Sequence, residues 1–261
     1  MKPLTGIKRR RIFQNSKPIF TMSKRAVLLT GGKGTRLLPY TVVLPKPLMP
    51  LGAYSILEIV IRQLSSYGFD HITLAVNHQA DIIKAFCGDG TKWNVKIDYS
   101  MEEKPLSTMG PLKLINDLPD NFLVMNGDIL TDLNFATFYE DHVRKESVFT
   151  ISSYKRTHTM EYGVLEVNNE SKLFGFSEKP AFNFQVSMGV YMLNKKVLDF
   201  IPFNKKFGFD DLMYLLIERE ILPTVSNFSG YWKDIGRPDD YMEAIEDFEN
   251  LKSSLFRGET E

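Results

Sequence analysis

The sequence predicts an α/β fold with a largely parallel sheet, and three observations point there. Short apolar, β-prone runs recur at Ala26–Leu29, His71–Val76 and Phe122–Met125. A helical stretch with Ile56, Ile59, Val60 and Leu64 on one face separates the first two. Each run also ends in residues that carry chemistry: Gly31, Gly32 and Gly34 after the first, Asn77-His78-Gln79 after the second, Gly127-Asp128 after the third. Strand, loop, helix, strand is the rhythm of a parallel sheet. Ligands of such sheets bind outside the carboxyl ends of the strands.

The totals narrow the classes. The chain has 261 residues, 43% hydrophobic and 25% charged, enough for one large domain with a substantial core. Lys and Arg number 32, as do Asp and Glu, so no bulk charge attracts nucleic acid or a membrane surface. Cys87 is the sole cysteine, which excludes an internal disulfide and suits a reducing cytoplasm. No apolar run approaches the roughly 18–20 residues of a membrane span. Residues 1–22 are read as a basic tail or linker remnant around Lys8-Arg9-Arg10-Arg11, residues 23–255 as one domain, and 256–261 as a second tail.

After the first strand, Gly31-Gly32-Lys33-Gly34-Thr35-Arg36 frees the backbone to take left-handed conformations and to bring its N–H groups against a ligand. Successive N–H groups form an anion nest suited to phosphate. Arg36 and Lys46 add full positive charge. The alternative is a tight glycine turn with solvated cations. Two known loops are excluded by spacing: a dinucleotide fingerprint needs a third glycine where Leu37 stands, and a Walker loop needs Gly-Lys-Ser/Thr where Gly34 precedes Thr35-Arg36.

Gly31-Gly32-Lys33-Gly34-Thr35-Arg36-Leu37-Leu38-Pro39, followed by Pro45-Lys46-Pro47, resembles the signature of the sugar-1-phosphate nucleotidyltransferases. Further motifs extend the resemblance from about Lys24 to about Asn250. It implies a Rossmann-like mixed sheet flanked by helices, of the nucleotide-diphospho-sugar transferase type. It also implies transfer of a nucleotidyl group from a nucleoside triphosphate to a sugar 1-phosphate, with Mg²⁺ as cofactor. Arg36 and Lys46 would be catalytic, and Gly31, Gly32, Gly34 and Thr35 would bind the nucleotide. Many members carry a C-terminal β-helix of hexapeptide repeats, and no such period is present here.

The remaining elements follow in order. Ser55 caps the first helix and Gly68 closes it. Gln79 either starts the helix Ala80–Phe86 or, as the resemblance implies, touches the base. Gly88–Trp93 is a structural turn before a strand at Val95–Ser100, with Trp93 packing. Leu106-Ser107-Thr108-Met109-Gly110-Pro111-Leu112 resembles the family loop over base and ribose, so Leu106 and Gly110 are expected to bind nucleotide. It departs from the family pattern at Ser107, in place of glycine, and at Met109, in place of alanine. Ser107 would be strained if its φ is positive, and Met109 would narrow the base pocket.

Asp128 either ligates Mg²⁺ with substrate phosphates or caps a turn; the resemblance favours the metal. A helix spans 134–145, with Phe135, Phe138 and Tyr139 inward. Strands at Val148–Tyr154, Gly163–Val167, Leu173–Ser177 and Val186–Leu193 follow with little helical punctuation, so the sheet becomes mixed. The resemblance assigns this half to the sugar phosphate, through Glu178 and Lys179 of Glu-Lys-Pro and the sugar-facing glycines Gly163 and Gly189. Phe209–Glu220 forms an amphipathic helix. Asp234 resembles the second metal carboxylate. Pro238 opens the last helix, with Tyr241, Ile245 and Phe248 inward.

The four histidines lack metal-ligand spacing. The expected partners are a nucleoside triphosphate and a sugar 1-phosphate, with no nucleic acid and no membrane; a homo-oligomer is left open. The Gly230-Tyr231-Trp232-Lys233-Asp234-Ile235-Gly236 ending looks most like mannose-1-phosphate guanylyltransferases, which leans the substrates to GTP and mannose 1-phosphate or a related hexose or heptose. The alternatives are UTP, dTTP or CTP as donor, or a regulatory relative that binds nucleotide without turnover.

Overall fold

Val27 and Leu28 are adjacent on one strand and both fully buried. Neighbouring strand residues face opposite sides of a sheet, so both faces of this sheet are covered, which explains the unbroken apolar runs. The computed structural model describes residues 23–256. The proposed tail at 1–22, and 257–261 of the second, lie outside the described residues.

The chain runs β1 (Lys24–Leu29), β2 (Pro50–Leu51), β3 (Tyr54–Ser55), α1 (Ile56–Ser66), β4 (Phe69–Val76), α2 (Ala80–Cys87), β5 (Lys96–Met101) and β6 (Asn121–Asn126). It continues through β7 (Ile129–Thr131), α3 (Phe135–Arg144), β8 (Phe149–Thr159), β9 (Val164–Val167), β10 (Leu173–Ser177), β11 (Ala181–Asn194), α4 (Phe209–Glu218), β12 (Thr224–Phe228), β13 (Trp232–Asp234) and α5 (Pro238–Leu255).

A seven-stranded sheet has the order β12-β8-β11-β6-β1-β4-β5. Strands β6, β1, β4 and β5 are parallel. β11 is antiparallel to both β6 and β8, so the sheet is mixed, as the thinning of helices implied. Chain order reverses between β1 and β6, and the crevice at such a switch point is where open α/β sheets bind ligands. Leu29 stands beside Asn126 across that pair, so the two strands release their loops side by side.

Leu28, Leu74 and Met125 pack with Leu57, Ile83 and Phe135 of the helices on one face. Val27 and Val124 pack with Leu212 and Leu216 of α4 on the other. A third cluster joins Ile56 and Ile59 to Tyr241, Ala244 and Phe248 of α5. Ile245 was expected inward but is 38% exposed. The buried positions of α5 fall at 241, 244, 248 and 255, and one residue beyond Ala244 turns Ile245 off the stripe. Trp93 is buried and donates from Nε1 to Glu58 Oε1 at 3.3 Å, a packing role.

The largest departure concerns β8 and β11, which run well past their expected ends and pair from Thr159–Ala181 through Tyr154–Val186 as an exposed arm. β9 and β10 pair antiparallel as a separate hairpin between them. The polar run Lys155–Thr159 gave no apolar alternation to extend the strand. Trp232 anchors the arm's base: its ring lies 5.3 Å from that of Tyr154, and its Nε1 donates to the Met188 carbonyl at 3.0 Å.

α1 supports the crevice from below, and its start is set locally. Ser55 Oγ accepts from the Glu58 N–H at 3.1 Å. Ser55→Ala is expected to cost about 1 kcal/mol, read in a thermal melt as a fall of roughly 2–4 °C.

Candidate active site

The loop after β1 is shaped by what its glycines touch. Gly34 has φ +63°, and a Cβ there would come within 3.0 Å of Thr41 Cγ2 and 3.2 Å of Lys46 Cβ. Thr41 Oγ1 donates to the Gly34 carbonyl at 2.8 Å, locking the turn. The loop and the Pro45-Lys46-Pro47 segment are thus packed against each other. Gly32 faces open space, with no atom within 4 Å of where its Cβ would stand. Thr35, Arg36 and Leu37 form one turn of 3₁₀ helix, with Leu37 buried and Thr35 and Arg36 exposed.

Four charged groups meet beside this loop. Lys46 Nζ is ion-paired with Asp128 Oδ2, and Lys46 is nearly buried. β13 pairs with β7 and places Asp234 opposite Ile129, next to Asp128 in the chain; the Ile235 N–H also donates to the Asp128 carbonyl at 3.1 Å. The Arg36 guanidinium lies about 3.5 Å from the Cβ position of Gly236. Burial raises the Asp234 carboxyl above its ordinary 3.8, the Asp128 charge raises it further, and Lys46 and Arg36 pull it back. The expected catalytic and metal residues Arg36, Lys46, Asp128 and Asp234 therefore converge, although Lys46 and Asp128 are 82 positions apart in the chain.

The residues present fit a magnesium ion. Asp128 Oδ1 is buried and has no hydrogen-bond partner. Among the described residues no group of three or more His, Cys, Asp or Glu could hold a metal alone. Mg²⁺ commonly takes one or two carboxylates and completes its shell with waters and substrate phosphates, so an Asp128–Asp234 pair is the right donor set.

A cavity of about 430 Å³ opens beside these groups, lined by Gly31, Gly32, Lys33, Asn126 and Asp128 at one end and by Asn77, Glu102, Pro105, Ser107 and Thr108 elsewhere. Gly189, at a bulge in β11 with φ +75°, lies against this wall; a Cβ there would meet Asn126 Nδ2 at 2.7 Å.

Other expected residues stand apart from the cavity lining. Gln79 adopts φ +57° before α2, and its Nε2 donates to the Val42 carbonyl at 3.3 Å, which turns it towards the loop after β1. Leu106 is buried, with its N–H on Glu102 Oε2 and its carbonyl accepting from Phe207 N. Gly110 is a packing glycine, because a Cβ would come within 2.8 Å of the Lys205 carbonyl. Gly163, Glu178 and Lys179 come together on the exposed arm, where Glu178 Oε2 lies 3.0 Å from the Gly163 Cβ position. Lys33, Glu102 and Asn126 also line the cavity but were not singled out from the sequence, and Asn77 only as part of the Asn77-His78-Gln79 segment. Asn77 and Glu102 follow β4 and β5 directly, and position at the carboxyl edge was the available signal.

Ser107 takes φ +67°, the strained conformation its replacement of glycine would require. Its neighbours hold it there. The Met109 and Gly110 N–H groups donate to the Phe207 carbonyl, and Thr108 Oγ1 accepts from Phe209 N at the start of α4. Met109 is fully buried in the core beside α4 and is absent from the cavity lining, so it does not narrow a base pocket.

With this geometry in view, comparison decides the family: the nucleotidyl transferase profile matches residues 25–250. The chain belongs to the nucleotidyl transferase family. It is 32% identical over 241 residues to a UTP–glucose-1-phosphate uridylyltransferase of Synechocystis, covering 85% of this chain and 62% of that protein. It is 33% identical over 234 residues to a mannose-1-phosphate guanyltransferase of Yarrowia lipolytica, covering 84% and 62%. The chain thus spans about three fifths of the length of these curated relatives. The crystal structure of HddC from Yersinia pseudotuberculosis superposes with a TM-score of 0.68 at 28% identity, covering 86% of this chain and 99% of that one. The same protein is known complexed with GMP-PN. The resemblance to sugar-1-phosphate nucleotidyltransferases is borne out at the level of the family, as is the Rossmann-like mixed sheet. No helix among the described residues is long and apolar enough to cross a membrane.

Two measurements check this family site. The raised carboxyl of Asp234 favours the fold while protonated and loses that contribution as pH rises through its folded-state value. Asp234→Asn is therefore expected to melt higher than the parent at neutral pH, with the difference vanishing below the ordinary carboxylate range. Ser107→Gly relieves left-handed strain and should gain roughly 0.5–1 kcal/mol in denaturant unfolding, net of the freer unfolded chain.

Proposed function

We propose that the protein transfers a nucleotidyl group from a nucleoside triphosphate to a sugar 1-phosphate, releasing pyrophosphate. The observation that carries this reading is the meeting of Arg36, Lys46, Asp128 and Asp234 beside a glycine loop at the switch point of the sheet. Such a site offers backbone N–H groups and cations to a triphosphate, and carboxylates to a metal.

The chemistry asks little of side chains as acids or bases. The attacking sugar phosphate oxygen is already anionic, so no general base is needed. It forms the new bond to the α-phosphorus as the bond to pyrophosphate breaks, and pyrophosphate leaves with the electron pair. The work is positioning and charge neutralisation. The loop from Gly31 to Thr35 would grip the triphosphate, with Arg36 neutralising charge as it develops. Lys46 holds Asp128 in place and sits where it can turn to a phosphate oxygen. Mg²⁺ held by Asp128 and Asp234 would supply further neutralisation of the substrate phosphates. Gly189 beside Asn126 would let the sugar lie close to the strand, and Glu178 and Lys179 on the arm would meet its hydroxyls and phosphate.

For the donor and acceptor, the reading favours GTP with mannose 1-phosphate or a related hexose or heptose. The Yarrowia relative and the GMP-PN complex of HddC support it, while the Synechocystis relative keeps UTP and glucose 1-phosphate as the second reading.

Pyrophosphate release is the test, with Mg²⁺, each of GTP, UTP, dTTP and CTP, and a panel of sugar 1-phosphates. Release with one pair, abolished by EDTA and reduced at least about 10²-fold in Asp128→Asn, is expected. Silence across the panel from folded protein that still binds nucleotide would overturn the reading in favour of a non-catalytic relative.

A further inference from the structure

Asp234 rides on a small support. β13 is three residues long, and it forms a sheet of its own with β7, which is equally short. Such a pairing sets the register. A two-stranded ribbon is weak by itself, and it leaves the strand free to roll about its long axis. A small roll would swing Asp234 away from Asp128, and repulsion between the two carboxylates favours that motion.

The far face of β13 is tied down, outside the cavity. Successive strand residues point to opposite faces, so Lys233, and Tyr231 just before the strand, face away from Asp234. Lys233 Nζ is ion-paired with Glu243 Oε2 and lies 3.5 Å from Asp247 Oδ2, both on α5. Tyr231 donates from its hydroxyl to the same Asp247 oxygen at 3.0 Å. Glu243 and Asp247 stand four apart on the helix, where two acids repel unless a cation joins them. The Lys233 side chain is 17% exposed, so its stem is largely covered while the ammonium reaches the acids. Tyr241, Ala244 and Phe248 anchor α5 in the core, so the short strand is clamped to a rigid body.

Stability does not account for this clamp, because partly exposed ion pairs add little to it. Its field does not account for it either. The charges that act on the Asp234 carboxyl are those of Asp128, Lys46, Arg36 and Asp240, and Lys233 is not among them. What the clamp supplies is geometry.

We infer that Lys233, clamped to Glu243 and Asp247, is a positioning residue that fixes the roll of β13 and so keeps Asp234 beside Asp128. The inference rests on the metal-binding part of the function proposed above. Groups behind metal ligands orient them, and losing one typically costs about 10–100-fold in metal affinity.

The test is Mn²⁺ binding to the full chain without nucleotide, with free ion read by electron paramagnetic resonance, for the parent, Lys233→Met and Lys233→Arg. Mn²⁺ stands in for Mg²⁺ because both suit carboxylate oxygens. Coulomb's law alone makes a cation bind tighter once a nearby positive charge is gone, so weaker binding reports position rather than field. Lys233→Met is expected to weaken Mn²⁺ binding about 10-fold, and Lys233→Arg to stay within about 3-fold of the parent. The melting temperature of Lys233→Met should move by no more than roughly 4 °C. Unchanged or tighter binding in folded Lys233→Met would overturn the inference, and so would equal weakening in both variants. Should Lys233→Met not fold, Tyr231→Phe removes one bond of the clamp and is expected to weaken Mn²⁺ about 3-fold; affinity equal to the parent's would then overturn the inference. A parent that binds no Mn²⁺ sinks the metal reading and the clamp together, whereas a parent that binds it and a variant that binds it equally sink the clamp alone.

Discussion

Two carboxylates held side by side in a half-buried place repel each other, and the site is arranged around that repulsion. Asp128 is pinned because it lies in the two-residue link between β6 and β7, and Asp234 because β13 pairs with β7. Neither can move away without breaking a strand. Lys46 answers the repulsion from one side and Arg36 from the other. The cation that sequence alone would send to a triphosphate is thus already in contact with a carboxylate, Asp128. Asp128 Oδ1 remains a buried oxygen there without a hydrogen-bond partner.

The sheet converts this local balance into a binding surface. Four parallel strands end at one edge, and each releases a different part of the cavity wall. The glycine loop leaves β1, Asn77 leaves β4, Glu102 leaves β5, and Gly127-Asp128 leaves β6. Gly127 is part of the fit, since a Cβ there would strike Thr30 Cγ2 at 2.8 Å and push the two loops apart. Ser107 shows the opposite choice. It keeps a side chain where glycine would be easier, and hydrogen bonds on both sides hold the loop in place.

Much of this was readable in the chain because the signals were short and local. The glycine loop, the Ser55 cap, the strand before Asp128 and the start of the last helix at Pro238 each lie within a dozen residues. What escaped was set by distance or register. Glu102 sits in the charged run Glu102-Glu103-Lys104, and nothing in that run says which acid is buried; the pairing of β5 with β4 decides it. Lys46 meets Asp128 only through the fold. Gln79 could start the helix or touch the base by its place after β4; its left-handed backbone and its amide contact to Val42 come from the fold and had no local signal. Ile245 followed an apolar pattern that the actual helical stripe, set by Ala244, does not share.

The arm formed by the outer halves of β8 and β11 with the β9–β10 hairpin is a ribbon without a second layer: Leu165, Phe174, Phe176 and Phe184 are all more than half exposed. Two-stranded ribbons in water hold together weakly, so its amides belong to a separate cooperative unit that opens far below the energy needed to unfold β1 and β6. Gly163, Glu178 and Lys179, which the proposed function gives to the sugar phosphate, ride on that unit, whereas the residues it gives to the nucleotide ride on the rigid one. Hydrogen exchange would therefore divide the molecule along that line, with fast amides on the arm and slow ones in β1 and β6.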